Sequence, residues 1–454
     1  MDNTLACLAA WIPQQRWYAA KGRTPALRIV ASIDLDAVDA DIRVRTLLVA
    51  DDASRPPVLY QVPVVERPAG DRDLRPRHTI GEALPGMVLV DGVHDPAYAR
   101  ALLQLVTAGG RRRSDDLVLT GTGVAASALS LTTRAEVLTG EQSNTSLVYR
   151  DPGSPLICKL YRKLQPGLNP DVELQVALAD AGSTRVPRPA GWLEGSWAAE
   201  GGEIESGSLA FAQEFLPDVE DAWRVALRAA AEGEDFQAGA RELGAATAEV
   251  HLTLARALPM RAAGAAERDA VTATWHRRLE DAIGEVPELA SRRAAIETGY
   301  ARARDEVFPP LQRIHGDYHL GQVVRIPGRG WVLLDFEGEP MRPMQERRRP
   351  DLALRDIAGM LRSFDYVAGS LGQDMPERAD AVDAWARAAR AAYLEGYAAA
   401  SGLDLVASAP LLHALELDKA VYETLYEARN RPSWIGIPLR AVDRLTGVVR
   451  PSMA

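Results

Sequence analysis

The chain has 454 residues, more than one hydrophobic core usually organises, so two or three packed units are expected. Its composition, 47% hydrophobic and 25% charged, is ordinary for globular protein, and a formal net charge of -10 gives no electrostatic support to a nucleic-acid or anionic-membrane partner. Two distant cysteines, Cys7 and Cys158, exclude a disulfide framework and suit a reducing cytoplasm, while no signal-like start or membrane-length apolar run is present.

In chain order, residues 1–23 read as a short amphipathic helix (Leu5, Leu8, Trp11) entering Gln15-Arg16-Trp17-Tyr18. These aromatic residues are expected to anchor one layer on another rather than to form a ligand surface. Strand-like runs follow from Leu27 to about Val65, then a polar loop over 66–78, the apolar Val88-Leu89-Val90 and a helix over 96–106. Residues 107–116, with Gly109-Gly110-Arg111-Arg112-Arg113, read as a linker.

Residues 117–216 read as strands around one helix. The loop Thr139-Gly140-Glu141-Gln142-Ser143-Asn144-Thr145 could place backbone N–H groups over nucleotide phosphates, with an ordinary hairpin turn as the plainer alternative. Lys159 interrupts the apolar strand 155–161, where a lysine needs a counter-charge unless it escapes at a sheet edge. Downstream, Asn169 can cap a helix that Pro170 begins, and Glu173 in its first turns is the expected partner. A strand lysine followed by a helix glutamate is the pair that aligns the α- and β-phosphates in kinases. The strand 208–216 ends before Pro217, where a hinge would face an adenine.

From 217 onward the chain is alanine-rich and helical in period. Small residues around Gly244 in the helix 235–257 suggest close helix packing, and His251 reads as core or surface rather than ligand. The stretch 311–340 carries His315-Gly316-Asp317, then Gln322, a turn at Pro327-Gly328-Arg329-Gly330, and Asp335-Phe336-Glu337 after a second apolar run. These spacings match the kinase catalytic loop H-R-D-x-x-x-x-N followed by D-F-G, with Gln322 replacing Asn. A hairpin so built brings two carboxylates to one end, as phosphoryl transfer needs: Asp317 to orient and deprotonate the acceptor hydroxyl, Asp335 with Gln322 to hold magnesium. Lys159, Glu173, Ser143, Asn144 and Thr145 are the expected ATP contacts. Asp356, on a helix after Pro350, is expected by kinase analogy to brace the catalytic loop, and Arg347-Arg348-Arg349 reads as a solvated loop. Helices near 375–401 and 409–430 finish the unit, and the last exits through Glu427, Arg429 and Trp434, which suit a sugar or, equally, seal the helix end against the core.

With these residues laid out, the chain resembles the maltokinases, of the aminoglycoside-phosphotransferase-like group of the kinase fold, and the related actinobacterial glucosamine kinases. The resemblance rests on Gln15-Arg16-Trp17-Tyr18, Glu141-Gln142-Ser143-Asn144-Thr145-Ser146, the run 167–174, the loop 315–322, the run 335–340, Leu354-Arg355-Asp356, the run 418–423 and residues 428–438. It implies an α+β, two-lobed protein-kinase-like fold, with an N-terminal cap and intermediate subdomain at 1–116, a nucleotide-binding lobe at 117–216 and a mainly helical lobe at 217–454. It implies transfer of the γ-phosphate of ATP, with Mg2+, to the anomeric hydroxyl of maltose, giving maltose 1-phosphate for α-glucan synthesis. Asp317, His319, Glu427, Arg429 and Trp434 would then be the substrate residues. Glucosamine, giving glucosamine 6-phosphate, is the alternative acceptor, and a catalytically silent kinase-shaped binding module is a third reading. The partners implied are a small-molecule sugar and ATP, with no nucleic acid and no membrane, for a cytoplasmic monomer alongside enzymes that interconvert trehalose and maltose. Two positions depart from the family pattern: Tyr318 follows the catalytic aspartate where leucine is usual, and Gly436 stands where proline is expected. Both bear on the acceptor.

Overall fold

A computed structural model describes residues 3–447 apart from residues 38, 73, 125–134, 139–142, 152, 200 and 341. The chain divides into two units, one comprising Met1–Glu173 and Pro187–Pro217, the other Leu174–Val186 and Asp218–Ala454.

The first unit opens with helix α1 (Thr4–Trp11) and strands β1 (Leu27–Leu35), β2 (Arg43–Asp51), β3 (Val58–Pro68), β4 (Thr79–Leu84) and β5 (Met87–Asp91). Helix α2 (Pro96–Ala108) is followed by β6 (Gly110–Arg113), β7 (Leu117–Gly123), β8 (Ala135–Val137), β9 (Asn144–Tyr149), β10 (Leu156–Tyr161), β11 (Lys163–Leu164), β12 (Pro189–Ala198) and β13 (Ile204–Glu214). They form two sheets, ordered β1-β2-β3-β5-β4 with β11 beside β3, and β6-β7-β12-β13-β10-β9-β8. Helix α2 is tied to both: Tyr98 shares a hydrogen bond with Thr46 of β2 (2.9 Å), and Tyr149 of β9 donates to the Ala99 carbonyl (2.8 Å). Its start follows from its sequence, since Asp95 accepts the Ala97 N–H (2.9 Å) and Pro96 takes the first helical position.

Residues 107–116, expected as a linker, instead supply the end of α2 and the edge strand β6, paired with β7. Gly109, with φ of 74°, reverses the chain directly after the helix, and three mostly exposed arginines suit a solvated sheet edge. The early aromatic residues anchor, as expected: Trp17 and Tyr18 are buried, and the Tyr18 hydroxyl donates to Asp51 (2.8 Å).

Helix α3 (Pro170–Asp180) carries the chain from the first unit into the second. The second unit then contains α4 (Ala222–Glu232), α5 (Gln237–Ala257), α6 (Ala265–Glu285), α7 (Arg293–Arg304), the hairpin β14 (Val323–Ile326) and β15 (Gly330–Leu333), and α8 (Met344–Arg347). The long helices α9 (Leu354–Asp374), α10 (Ala379–Ser401) and α11 (Ala409–Asn430) and the shorter α12 (Gly436–Thr446) complete it. No helix among the described residues is long and apolar enough to cross a membrane.

The core of this unit gathers Leu243, Ala246, Val250, Trp331, Phe336, Leu361, Phe364, Tyr393 and Leu417 around α9, most of which is buried. Helices α5 and α10 pack backbone to backbone, as the small residues predicted. A Cβ on Gly244 would lie 2.0 Å from the Tyr393 carbonyl oxygen, and one on Gly396 2.0 Å from that of Arg241. The obstacle is main chain, which cannot rotate away. Gly244→Ala is therefore expected to destabilise the protein by about 3 kcal/mol or more, although alanine is the better helix former. Thermal unfolding checks this; an unchanged midpoint would contradict it.

Candidate active site

The hairpin places two loops side by side in the second unit. The catalytic-type loop 315–322 precedes β14, and the loop 335–340 follows β15. His315 sits at their junction: its Nε2 is 2.8 Å from the Leu334 carbonyl, and its ring lies 4.6 Å from Phe336 and 5.2 Å from Tyr318. The Leu334 N–H donates to the Gln322 carbonyl (2.9 Å), so the second loop is bonded to the end of the first. Gly316, at φ of 85°, brings its chain so near Gly338 that an added Cβ would stand 3.3 Å from the Gly338 Cα.

Asp356, in the first turn of α9, braces this arrangement. Its two oxygens accept the N–H groups of His315 (2.8 Å) and Gly316 (2.9 Å), and one is 3.0 Å from His251 Nε2. Burial by itself would raise this carboxyl, but His251, His315 and the Gly316 amide hold it below the usual carboxylate range. His251 is a core residue, as expected, with its Nδ1 3.0 Å from the Tyr397 hydroxyl.

Gln322 and Asp335 meet: the amide donates to Asp335 Oδ2 at 3.2 Å. Asp335 has φ of 60°, a left-handed conformation uncommon outside glycine and often kept where a functional group must be aimed. Glu337 stands close by, a carboxylate oxygen of each lying within 4.8 Å of the other. Asp317 and Asp335 both act on His319, whose pKa is lowered by burial and by Lys419 and His315 against the pull of these two carboxylates. His319 Nδ1 accepts the Gly321 N–H (3.1 Å), which turns the short helix leading to Gln322.

Lys419 of α11 reaches the same place. Its Nζ is 2.5 Å from Glu339 Oε1 and 3.8 Å from Asp317 Oδ1. Sequence spacing alone did not assign it a role, because it lies about a hundred residues beyond the loops. The Arg347–Arg349 run, expected as solvated loop, is only partly so: half-buried Arg347 donates to the Arg342 and Pro340 carbonyls. Tyr318, expected to bear on the acceptor, points instead into the helical core, 3% exposed, with its hydroxyl 2.8 Å from Thr247 Oγ1. Gly436 begins α12, a first-turn position where proline is equally tolerated.

At the far end of α11 the predicted sugar residues separate. Glu427 is fully buried and takes hydrogen bonds from the Tyr366 hydroxyl (2.9 Å) and from Arg431 (2.6 and 2.9 Å). Trp434 stacks on Tyr366 (6.3 Å, 28°) and under Arg431 (4.6 Å). Arg429 is exposed and bonded to Glu285 (2.8 Å), apart from that cluster.

In the first unit, Lys159 lies on β10 between β9 and β13, so escape at a sheet edge is not open to it. It donates to Asp171 Oδ2 at 3.0 Å, and that aspartate is fully buried. The expected partner was Glu173, half-buried on the same helix. Two positions on a helix differ by about 200° in direction, so the two acids of this first turn face opposite ways. Asn169 caps the helix, its side chain accepting the Asp171 N–H (2.8 Å). At the head of β9, Ser143 is exposed, Asn144 is half-buried, and Thr145 is buried, its hydroxyl accepting from Arg162 Nε (2.9 Å). Residues 139–142 of the expected phosphate loop lie outside the described residues. Arg162, unnoticed in the sequence, is buried at 1% exposure, pairs with Asp91 at 3.7 Å and stacks on Trp17 at 4.8 Å.

A catalytic-type loop braced by a helix carboxylate, a metal-type loop beside it, and a half-buried strand lysine paired to a buried acid define a kinase-like phosphotransferase. The comparisons with known proteins agree. Residues 134–412 match the phosphotransferase enzyme family and residues 11–95 the maltokinase N-terminal cap domain. A glucosamine kinase of Streptacidiphilus jiangxiensis is 32% identical over 340 residues, 69% of this chain and 75% of that one. A glucosamine kinase of Mycolicibacterium smegmatis is 30% identical over 333 residues, 70% of this chain and 81% of that one. A solved structure described as glucosamine kinase in complex with glucosamine, ADP and inorganic phosphate superposes with a TM-score of 0.69 at 25% identity, covering 97% of this chain and 98% of its own. The chain belongs to the phosphotransferase enzyme family and carries the maltokinase-type cap ahead of its kinase-like fold. It is an ATP-dependent kinase with an alcohol group as acceptor.

Proposed function

We propose that the protein transfers the γ-phosphate of ATP to glucosamine, giving glucosamine 6-phosphate and ADP. The observation that carries this reading is likeness over 97% of the chain, cap included, to a kinase described with glucosamine and ADP. The cap domain alone points to maltose, but a glucosamine kinase of matching length aligns across it, so the cap does not discriminate. Maltose, with phosphate on its anomeric hydroxyl, is the second reading.

In this proposal Asp317, 24% exposed at its side chain, orients the acceptor hydroxyl and takes its proton as the oxygen attacks the γ-phosphorus and the bond to ADP breaks. His319 lies beside the acceptor. Lys159, held by Asp171, grips phosphate oxygens, with Glu173 in the same helix turn and the backbone at Ser143 and Asn144 as further contacts. Thr145 supports that strand from inside through Arg162. Gln322 and Asp335, whose side chains meet, each carry an oxygen of the hard kind magnesium takes. Magnesium bound there would offset the charge of the transferring phosphates. Glu427 and Trp434 act through the Tyr366 cluster on the acceptor side, and Arg429 has the weakest claim because its guanidinium is bonded to Glu285.

Three parallel reactions test this, with ATP, magnesium and glucosamine, maltose or glucose, and the phosphorylated carbon assigned by NMR. ADP release with glucosamine at a kcat/KM at least about tenfold above maltose is expected, a difference of about 1.4 kcal/mol in transition-state binding. Faster turnover of maltose would replace the acceptor. No ADP release with any sugar would favour a silent binding module.

A further inference from the structure

Lys419 is the one cation of α11 placed at the acceptor base, and its surroundings show what holds it there. Glu339, 4% exposed, accepts its hydrogen bond, and Arg278 Nη2 lies 3.8 Å from the other oxygen of that carboxylate. Burial would raise Glu339, yet Lys419 and Arg278 hold it down at about 2. The Lys419 ammonium also stands 5.3 Å over the Tyr422 ring. An ammonium has three N–H groups, and Glu339 takes one of them. The side chain is still 22% exposed, and Asp317 is 3.8 Å away, close enough to attract and too far for a direct hydrogen bond.

We propose that Lys419 is a positioning residue for phosphoryl transfer: anchored by Glu339, it holds the Asp317 carboxylate toward the acceptor and offsets its charge against the incoming phosphate. The physical need is plain. The base is an anion, the transferring group is an anion, and both must approach the same hydroxyl oxygen. A fixed ammonium beside the base lowers their repulsion where charge develops, without donating to the nucleotide itself. Glu339 belongs to the loop that carries Asp335, so the same ammonium also ties helix α11 to both loops.

The inference rests on the kinase reading but not on which sugar is the acceptor, so the experiment uses whichever sugar the wild-type enzyme phosphorylates, with Asp317→Asn as control. Lys419→Met is expected to lower kcat about 100-fold while KM for ATP stays within about twofold, the pattern of an interaction made in the transition state. Lys419→Arg, which keeps the charge, is expected to recover kcat to within about tenfold of wild type. Should the methionine variant fail to fold, Lys419→Gln, which keeps a donor for Glu339 without the charge, takes its place. A folded neutral variant with wild-type kcat, or with arginine no better than methionine, would overturn the role. A rise in KM for ATP at unchanged kcat would make Lys419 a nucleotide contact instead and overturn it equally. Wild-type enzyme inactive with every sugar would bring down the kinase reading itself, and this inference with it.

Discussion

Asp317→Asn is expected to lower kcat by at least about 10³-fold, within the range that removal of a positioned general base produces. Asparagine matches the carboxylate in size, so the His315 junction and the Asp356 brace remain intact. What disappears is the anion that faces Lys419 at 3.8 Å and that is proposed to take the acceptor proton. Lys159 and Asp171, to which the phosphate grip is ascribed in the proposed function, belong to other elements, so ATP affinity by calorimetry should stay within about twofold of wild type. Steady-state turnover near the wild-type rate would remove Asp317 from its role.

The second large effect is expected at Asp356, which touches no substrate. Asp356→Ala leaves the N–H groups of His315 and Gly316 and the ring of His251 without their acceptor at a site 1% exposed. Removing one partner from such a buried charged cluster should cost about 3–5 kcal/mol in unfolding free energy. Turnover should fall too, since the two amides set the path of the chain into Asp317. The pH dependence has a definite sign. The folded Asp356 carboxyl lies below its ordinary value, so its contribution is fully present above about pH 4, the unfolded carboxylate value, and is lost as pH falls through the folded value. The wild type should therefore lose stability on acidification below about pH 4 more steeply than Asp356→Ala. Equal midpoints for the two proteins at pH 7 would show that the brace contributes little.

Several elements could be read from the residues before any coordinates. The hairpin 323–333 was marked by two apolar runs about a glycine turn, and its flanking acids by kinase spacing. The α3 start was marked by Asn169 and Pro170, and the close packing of α5, though not its partner helix, by the small residues around Gly244. Each is a local signal, set by turn chemistry, capping or side-chain size within a few residues.

The partner choices were not local. The sequence pointed to Glu173 as the counter-charge to Lys159, and only the direction in which α3 lies on the strand selects Asp171 instead. Tyr318 follows Asp317 in sequence yet faces Thr247 and the core, a direction that the neighbouring helix α5 decides and the residue order does not. Lys419 reaches Asp317 from α11 and Arg429 turns away to Glu285, though both lie on the same helix. The amino-acid order thus determined that this is a kinase and that two loops of kinase spacing flank one hairpin, since those depend on short-range spacing. Which charges meet across long stretches of chain was decided by the packing of whole helices, because burial tolerates an ion only where the tertiary fold brings its opposite.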